Sequence, residues 1–350
     1  MKKFKNIVLI LILIFIVLFL IFSISGGFYF YHLAIARNDK SFLFKSSSSN
    51  DSDVSDSSDV SDSSDAEDSD AEESTSSYAA EASAAAKSYT KSAAWLEKTG
   101  YEQVTIQSVD GLKLTAYYIA ASVPTTKTII LAHGYNSSGK DMADFAQFFY
   151  EDLGYNVLLP DTRGHGLSEG DYVGFGWPDR LDYLKWIDWT IEKVGQNAQI
   201  GLLGVSMGGA TVMMVSGENL PAQVKAIIED CGYTSVADEL AYQLKQMFQL
   251  PAFPLVLSTS IITEIRDGYN FYESSALEQV KKAKVPMLFI HGDADTFVPT
   301  YMVNELYENC GSKDKSLWIV PGAFHAMSFT VDPDGYETKV SEFLSQYITD

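Results

Sequence analysis

Three regimes of hydrophobic and polar patterning succeed one another along the chain. Residues 6–31, NIVLILILIFIVLFLIFSISGGFYFY, form an apolar stretch of 26 residues without one formal charge. At about 1.5 Å per helical residue this run can cross a hydrocarbon core of about 30 Å, so it predicts a transmembrane helix. Phe28, Tyr29, Phe30 and Tyr31 supply aromatic rings for the far interface. Residues 46–77 then carry Ser, Asp and Glu with a short VSDSSD repeat and almost nothing apolar to bury, the pattern of a disordered, self-repelling stalk. An Ala-rich segment, 78–98, is expected to be helical and to lead into a folded domain.

Beyond residue 99, β-rich apolar runs alternate with longer amphipathic stretches, which predicts an α/β class with a mostly parallel sheet covered by helices on both faces. Runs at 102–107 and 112–120, joined through Asp110-Gly111, predict an opening hairpin. Short unbroken apolar runs at 128–132, 156–160, 200–205, 224–228, 286–290 and 316–320 suit strands buried on both faces. Helical spacing marks 141–152, 178–194, 207–216, 300–309 and 333–347. The segment 235–279, rich in Met, Phe, Leu and Ile, is longer than a simple crossover and predicts a small helical cap over the carboxyl ends of the strands. The expected organisation is therefore an anchor at 1–37, a stalk and lead-in at 38–98, and a domain at 99–350.

Charge and cysteine content narrow the partners. The formal charge is −21, of which eleven acids between Asp51 and Glu73 supply −11, leaving −10 on the rest. Such a field repels phosphate backbones, so nucleic acid is not an expected partner. Cys231 and Cys310 are too few for a disulfide framework and lack zinc-ligand spacing; two unpaired thiols are the simpler expectation. No GxGxxG or Walker A motif occurs, and no metal or cofactor is expected. Ala34-Ile35-Ala36 has the small-x-small form of a processing site, but the apolar run far exceeds a usual signal-peptide core of roughly 7 to 15 residues, so an uncleaved anchor is expected. Lys2, Lys3 and Lys5 on one side nearly balance Arg37, Lys40 and Lys45 on the other. The very short lysine-bearing tail resembles the n-region of a signal anchor, which places the C-terminal domain outside the cell.

Candidate chemistry centres on Gly204-Val-Ser-Met-Gly208, a GxSxG that follows an apolar strand and opens a helix. So sharp a turn puts Ser206 in a strained conformation and requires small neighbours two residues away on each side. The helix start also offers N–H groups and a positive dipole end to a developing oxyanion. A nucleophilic serine needs a base, and the chain has five histidines: His32, His133, His165, His291 and His325. His32 sits at the membrane, His133 and His291 each end a strand before Gly, and His165 lies in the loop DTRGHGLSEG. His325, just after the last strand, is the preferred base. The loop after the preceding strand offers Asp293 and Asp295, of which Asp295 is the preferred acid.

From about Val104 to the C-terminus the chain resembles the α/β-hydrolase superfamily, and within it the serine aminopeptidase-like and prolyl oligopeptidase-like hydrolases, which include membrane-anchored bacterial members. Four separated motifs carry the resemblance: His133-Gly134 after a strand, Gly204 to Gly208, HGDADTFVP, and the late His325. The family's HGxxD acid corresponds to Asp295, and DxRGxG to Asp161-x-Arg163-Gly-His-Gly166. The resemblance implies acyl transfer by Ser206, His325 and Asp295, with an oxyanion held by the backbone N–H groups of Tyr135 and Met207. Tyr135 could equally line a pocket with its ring. The expected activity is hydrolysis of carboxylic esters or thioesters; a peptidase or amidase, and a non-catalytic binding module on a stalk, are the alternatives.

Overall fold

The computed structural model describes residues 2–37 and 90–349. The Ser/Asp stalk at 46–77 and the lead-in up to residue 89 lie outside the described residues. The remainder of the lead-in lies in a helix over 90–99 (α2), which follows the long N-terminal helix α1 (Lys2–Phe30) in chain order. The opening hairpin pairs β1 (Glu102–Gln107) with β2 (Lys113–Ile119), and Gly111 takes the left-handed φ of 93° that its turn needs.

Eight strands form one sheet in the order β1-β2-β4-β3-β5-β6-β7-β8. The others are β3 (Lys127–Ala132), β4 (Asn156–Pro160), β5 (Gln199–Val205), β6 (Val224–Asp230), β7 (Met287–Gly292) and β8 (Lys315–Val320). Only β2 breaks the parallel arrangement, pairing antiparallel with both β1 and β4. The predicted strands are in place with ends shifted by at most two residues.

Alternate strand residues feed two cores, one on each face of the sheet. Ile130, Leu158 and Leu202 join one, whereas Ile129, Leu131, Val157, Leu159 and Leu203 join the other. Helices α4 (Asp179–Val194), α5 (Met207–Ser216) and α9 (Tyr301–Asn309) cover the first face; α3 (Ala143–Glu151) and α11 (Pro333–Leu344) cover the second. Every residue of α5 is buried, which explains its uniformly apolar and small-residue sequence MGGATVMMVS. Helix α11 starts where Asp332 caps Gly335 N–H and Pro333 supplies a preset φ at the first turn.

The expected cap is three helices, α6 (Val236–Phe248), α7 (Ala252–Asp267) and α8 (Ala276–Val280). Ser235 and Ser275 cap α6 and α8 by accepting from Asp238 N and Glu278 N, and Gly268 ends α7 at φ 77°. A four-residue helix α10 (Ser328–Val331) precedes α11.

The end of the N-terminal segment is built into this domain. A π-helical turn, Tyr31–Ile35, follows α1, and Tyr31 and Ile35 are buried in the first core. Val173 N donates to Ile35 O at 2.8 Å, Arg37 N donates to Asp171 O at 2.7 Å, and Ala36 bridges Tyr172 in antiparallel fashion. The Arg37 guanidinium donates to the carbonyls of Gly166 and Ser168, both at 2.8 Å.

Candidate active site

The parallel strands β3, β5, β7 and β8 all deliver their carboxyl ends to one edge of the sheet. Chain order reverses there, with β4 and β5 on opposite sides of β3, the place where open α/β sheets leave a crevice. Ser206 follows β5 with φ 58° and ψ −116°, a left-handed conformation costly for a non-glycine residue, and α5 begins at the next residue. The turn closes only because its flanks are bare. A Cβ on Gly204 would lie 2.1 Å from the Gly208 carbonyl oxygen, and one on Gly208 would lie 1.9 Å from that of Ala132.

Ser206 Oγ lies 2.8 Å from His325 Nε2, and His325 Nδ1 lies 2.7 Å from Asp295 Oδ2. Asp295 Oδ1 accepts from the backbone N–H groups of Phe297 and Val298, both at 2.9 Å. Burial pushes the Asp295 carboxyl up, but the electrostatic interaction with the adjacent His325 ring and hydrogen bonds from His291 and His325 more than offset it and hold the pKa at about 2. Asp295 is therefore ionised at neutral pH and fixes the proton of His325 on Nδ1, which leaves Nε2 to accept from the serine. Asp293 lies apart: it is exposed, and its Oδ1 accepts from Gly322 N at 2.6 Å, tying one loop to the next.

The other histidines divide by environment. His133 is fully buried, and burial, followed by the proximity of His165, lowers its pKa to about 3; it bonds Gly134 O through Nδ1 and accepts from Thr162 N through Nε2. His165 holds the Tyr135 carbonyl through Nε2 at 2.7 Å. His291 donates from Nε2 to Val298 O at 2.8 Å and lies 3.3 Å from Asp295 Oδ2, so it supports the carboxylate as well as the loop. Sequence position alone shows only that it ends a strand before Gly292. Burial works against a charged His291, yet Asp295 and then Glu229 raise its pKa.

Asp161 and Arg163 brace the loop below this group. Asp161 accepts from Gly139 N and Leu167 N, both at 2.8 Å, and from Tyr117 Oη at 3.1 Å. Arg163 forks onto Asp182 with two contacts of 2.7 Å and reaches Asp110 and Tyr172, both at 2.8 Å.

Ser206 lines an apolar cavity that is open at its mouth. Its walls come from the strand ends (Tyr135, Met207, Phe297), from the cap (Leu240, Leu244, Met247, Phe248) and from the N-terminal segment (Phe30, Leu33, Ala34). The Tyr135 ring lines this wall, and its hydroxyl donates to Ala34 O at 2.6 Å. Gly134 brings the chain close to Ser206: a Cβ there would lie 3.7 Å from Ser206 Cβ.

One cavity residue has no motif to announce it. Glu239 of α6 is buried in the wall; its Oε1 accepts from Gln243 Nε2 at 2.8 Å, while among the described residues nothing reaches Oε2. Burial raises its pKa to about 8, so at neutral pH it stands as a neutral carboxyl able to donate one hydrogen bond. The available signal is an acid on the Val236, Leu240, Leu244 face of α6.

Cys231 and Cys310 are free and buried. Cys231 Sγ lies within 4.8 Å of the nearest ligand atoms of Asp295 and His325, and burial raises its pKa well above the ordinary thiol value.

Residues 74–269, more than half of the chain, match the family described as X-Pro dipeptidyl-peptidase (S15 family), and residues 254–332 match serine aminopeptidase, S33. The chain is 32% identical to the uncharacterized Bacillus subtilis protein YqkD over 249 residues, covering 71% of this chain and 80% of that one. It is 25% identical to the Saccharomyces cerevisiae uncharacterized membrane protein YNL320W, covering 70% and 79%. Among solved structures, a Pyrococcus furiosus esterase, Pf2001, is similar at a TM-score of 0.60 and 26% identity, covering 72% of this chain and 93% of that one.

Proposed function

Because the chain belongs to the α/β-hydrolase superfamily, we propose that it is a membrane-anchored serine hydrolase that cleaves carboxylic esters or thioesters through Ser206, His325 and Asp295. The observation that carries this reading is the continuous line from Ser206 Oγ through the two ring nitrogens of His325 to the ionised Asp295, beside an apolar cavity that Ser206 lines. Ser206 Oγ bonds to the acyl carbon while its proton passes to His325 Nε2. His325 then gives that proton to the departing oxygen or sulfur as the acyl–leaving-group bond breaks. Water, deprotonated by the same nitrogen, hydrolyses the acyl-enzyme and restores the serine. The backbone N–H groups of Met207 and Tyr135 hold the oxyanion, each such donor being worth on the order of 10² to 10³ in rate.

Membrane anchoring is supported by α1 itself, since Phe4–Ile35 is long and apolar enough to cross a bilayer and only 6% of its most apolar window is buried. Removal of the segment at Ala36 would delete the bonds of Ala34 and Ile35 to Tyr135 and Val173, which favours an anchor retained in the mature protein. We place the domain on the outer side, in keeping with the lysine-bearing N-terminal tail.

A peptidase reading draws on the names of the two matching families. The apolar cavity weighs against it, because a peptide carries polar groups that such walls leave unpaired. Turnover of p-nitrophenyl esters of increasing chain length, set against aminoacyl anilides, separates the two. The ester reading expects kcat/KM to rise with acyl length and anilides to be poor; faster anilide cleavage would reverse the assignment.

A further inference from the structure

The cap and the N-terminal helix run side by side, and their pairing is ordered along both axes. The Phe19 ring lies 6.1 Å from that of Phe253. A Cβ on Gly26 would meet Leu255 at 2.4 Å, and one on Gly27 would meet Ser258 at 2.8 Å and Ile262 at 2.9 Å. The Arg266 guanidinium covers the Tyr31 ring at 4.8 Å, and Tyr31 Oη donates to Asp267 at 3.1 Å. Thus α7 travels parallel to the last third of α1, in contact through small residues of the kind that bring membrane helices together. The cap tip stands level with Phe19, twelve residues or roughly 18 Å of helix before Tyr31.

Two further features suit that depth. Residues 246–263, which make up the end of α6, the turn and most of α7, contain no charged side chain, and the first charges, Glu264, Arg266 and Asp267, come at the level of Tyr31. Phe253, Leu257, Ile261 and Ile265 form an i, i+4 stripe on α7 that is between 38% and 80% exposed, continuous with the exposed apolar surface of α1. Both helices also wall the cavity that Ser206 lines, α1 through Phe30 and α7 through Leu255 and Val256, with Met247 and Phe248 of α6 at the exposed rim.

Resting on the hydrolase and anchor reading above, we propose that the α6–α7 tip is sunk in the leaflet through which α1 leaves the membrane, and that the cavity takes its acyl group sideways from that leaflet. The substrate class is a long-chain carboxylic ester carried by a membrane lipid. Helix α1 is then a wall of the binding site as well as a tether, and the cap presents lipid with a surface that has no charge to desolvate.

The test uses the full chain in phosphatidylcholine vesicles carrying acyl-chain-brominated lipid. Leu257→Trp should lose emission to the bromines, while Val123→Trp, an exposed apolar site in the loop before β3 at the opposite edge of the sheet, should not. Equal emission from the two in brominated and plain vesicles overturns the proposal. Leu257→Asp/Ile261→Asp, which alters no cavity-lining residue, should lower turnover of a vesicle-borne long-chain monoacyl ester by about tenfold or more, equivalent to about 1.4 kcal/mol. It should leave hydrolysis of a soluble butyrate ester and fluorophosphonate labelling unchanged. Unchanged vesicle turnover also overturns the proposal. Absence of labelling in every form, with quenching intact, instead removes the hydrolase reading and with it the assigned substrate.

Discussion

Two aspartates two residues apart in one loop illustrate how much a role depends on the atoms a carboxylate faces. Asp295 is buried, accepts two backbone N–H groups and bonds His325 Nδ1, whereas Asp293 is exposed and only ties Gly322. Asp295→Asn would place an amide against Nδ1 and favour the tautomer with its proton on Nε2, the wrong one for a base; kcat is expected to fall by on the order of 10⁴. Asp293→Asn keeps an acceptor for Gly322 N and should cost less than about tenfold. Steady-state kinetics of the two variants checks the pair, and the reverse ranking would contradict the assignment. The choice between these two residues was legible in the sequence only through the spacing of the HGxxD motif. The supporting contact of His291 was not, because it depends on how the loop folds back over the strand end.

Elements were the most legible level. Unbroken apolar runs fixed the buried strands because helices cover both faces, and the GxSxG context fixed the start of α5 because only glycine fits beside the Ala132 and Gly208 carbonyls. The cap was legible as a helical insertion but not in its inner face, where Glu239 is buried beside apolar neighbours. Its carboxyl, ordinarily near 4.5, is raised by burial to about 8. The unfolded chain releases this proton near pH 4.5, the folded chain near 8, so the stabilising contribution is complete below about 4.5 and declines as pH rises toward 8. Glu239→Gln removes that decline, of up to about 1.4 kcal/mol per pH unit. Its unfolding free energy should fall less between pH 5 and pH 8 than that of the parent; Glu229, buried and also raised to about 8, is common to both chains. Equal falls in urea titrations at the two pH values would contradict the buried, protonated carboxyl.

At the scale of the whole molecule, hydropathy predicts an anchor, a polar spacer and a folded domain, but it gives no sign that the end of the N-terminal apolar segment shares the domain's core. The nearest signal was Gly26-Gly27 inside an otherwise bulky apolar run, which marks a close helix–helix approach without naming the partner. That partner is α7, distant in sequence and brought near because Ile35 to Arg37 are strapped to residues 166–173. The N-terminal segment, cap and strand ends therefore meet at a cavity that Ser206 lines. The central claim is that this serine is the nucleophile. Its most direct test is reaction of the full chain in detergent micelles with a fluorophosphonate, followed by mass spectrometry of the peptide that contains Gly204 to Gly208. The account predicts one adduct per chain, on Ser206, absent from Ser206→Ala and much slower to form in Asp295→Asn. A folded wild-type chain left unmodified, or an adduct on any other residue, would contradict it.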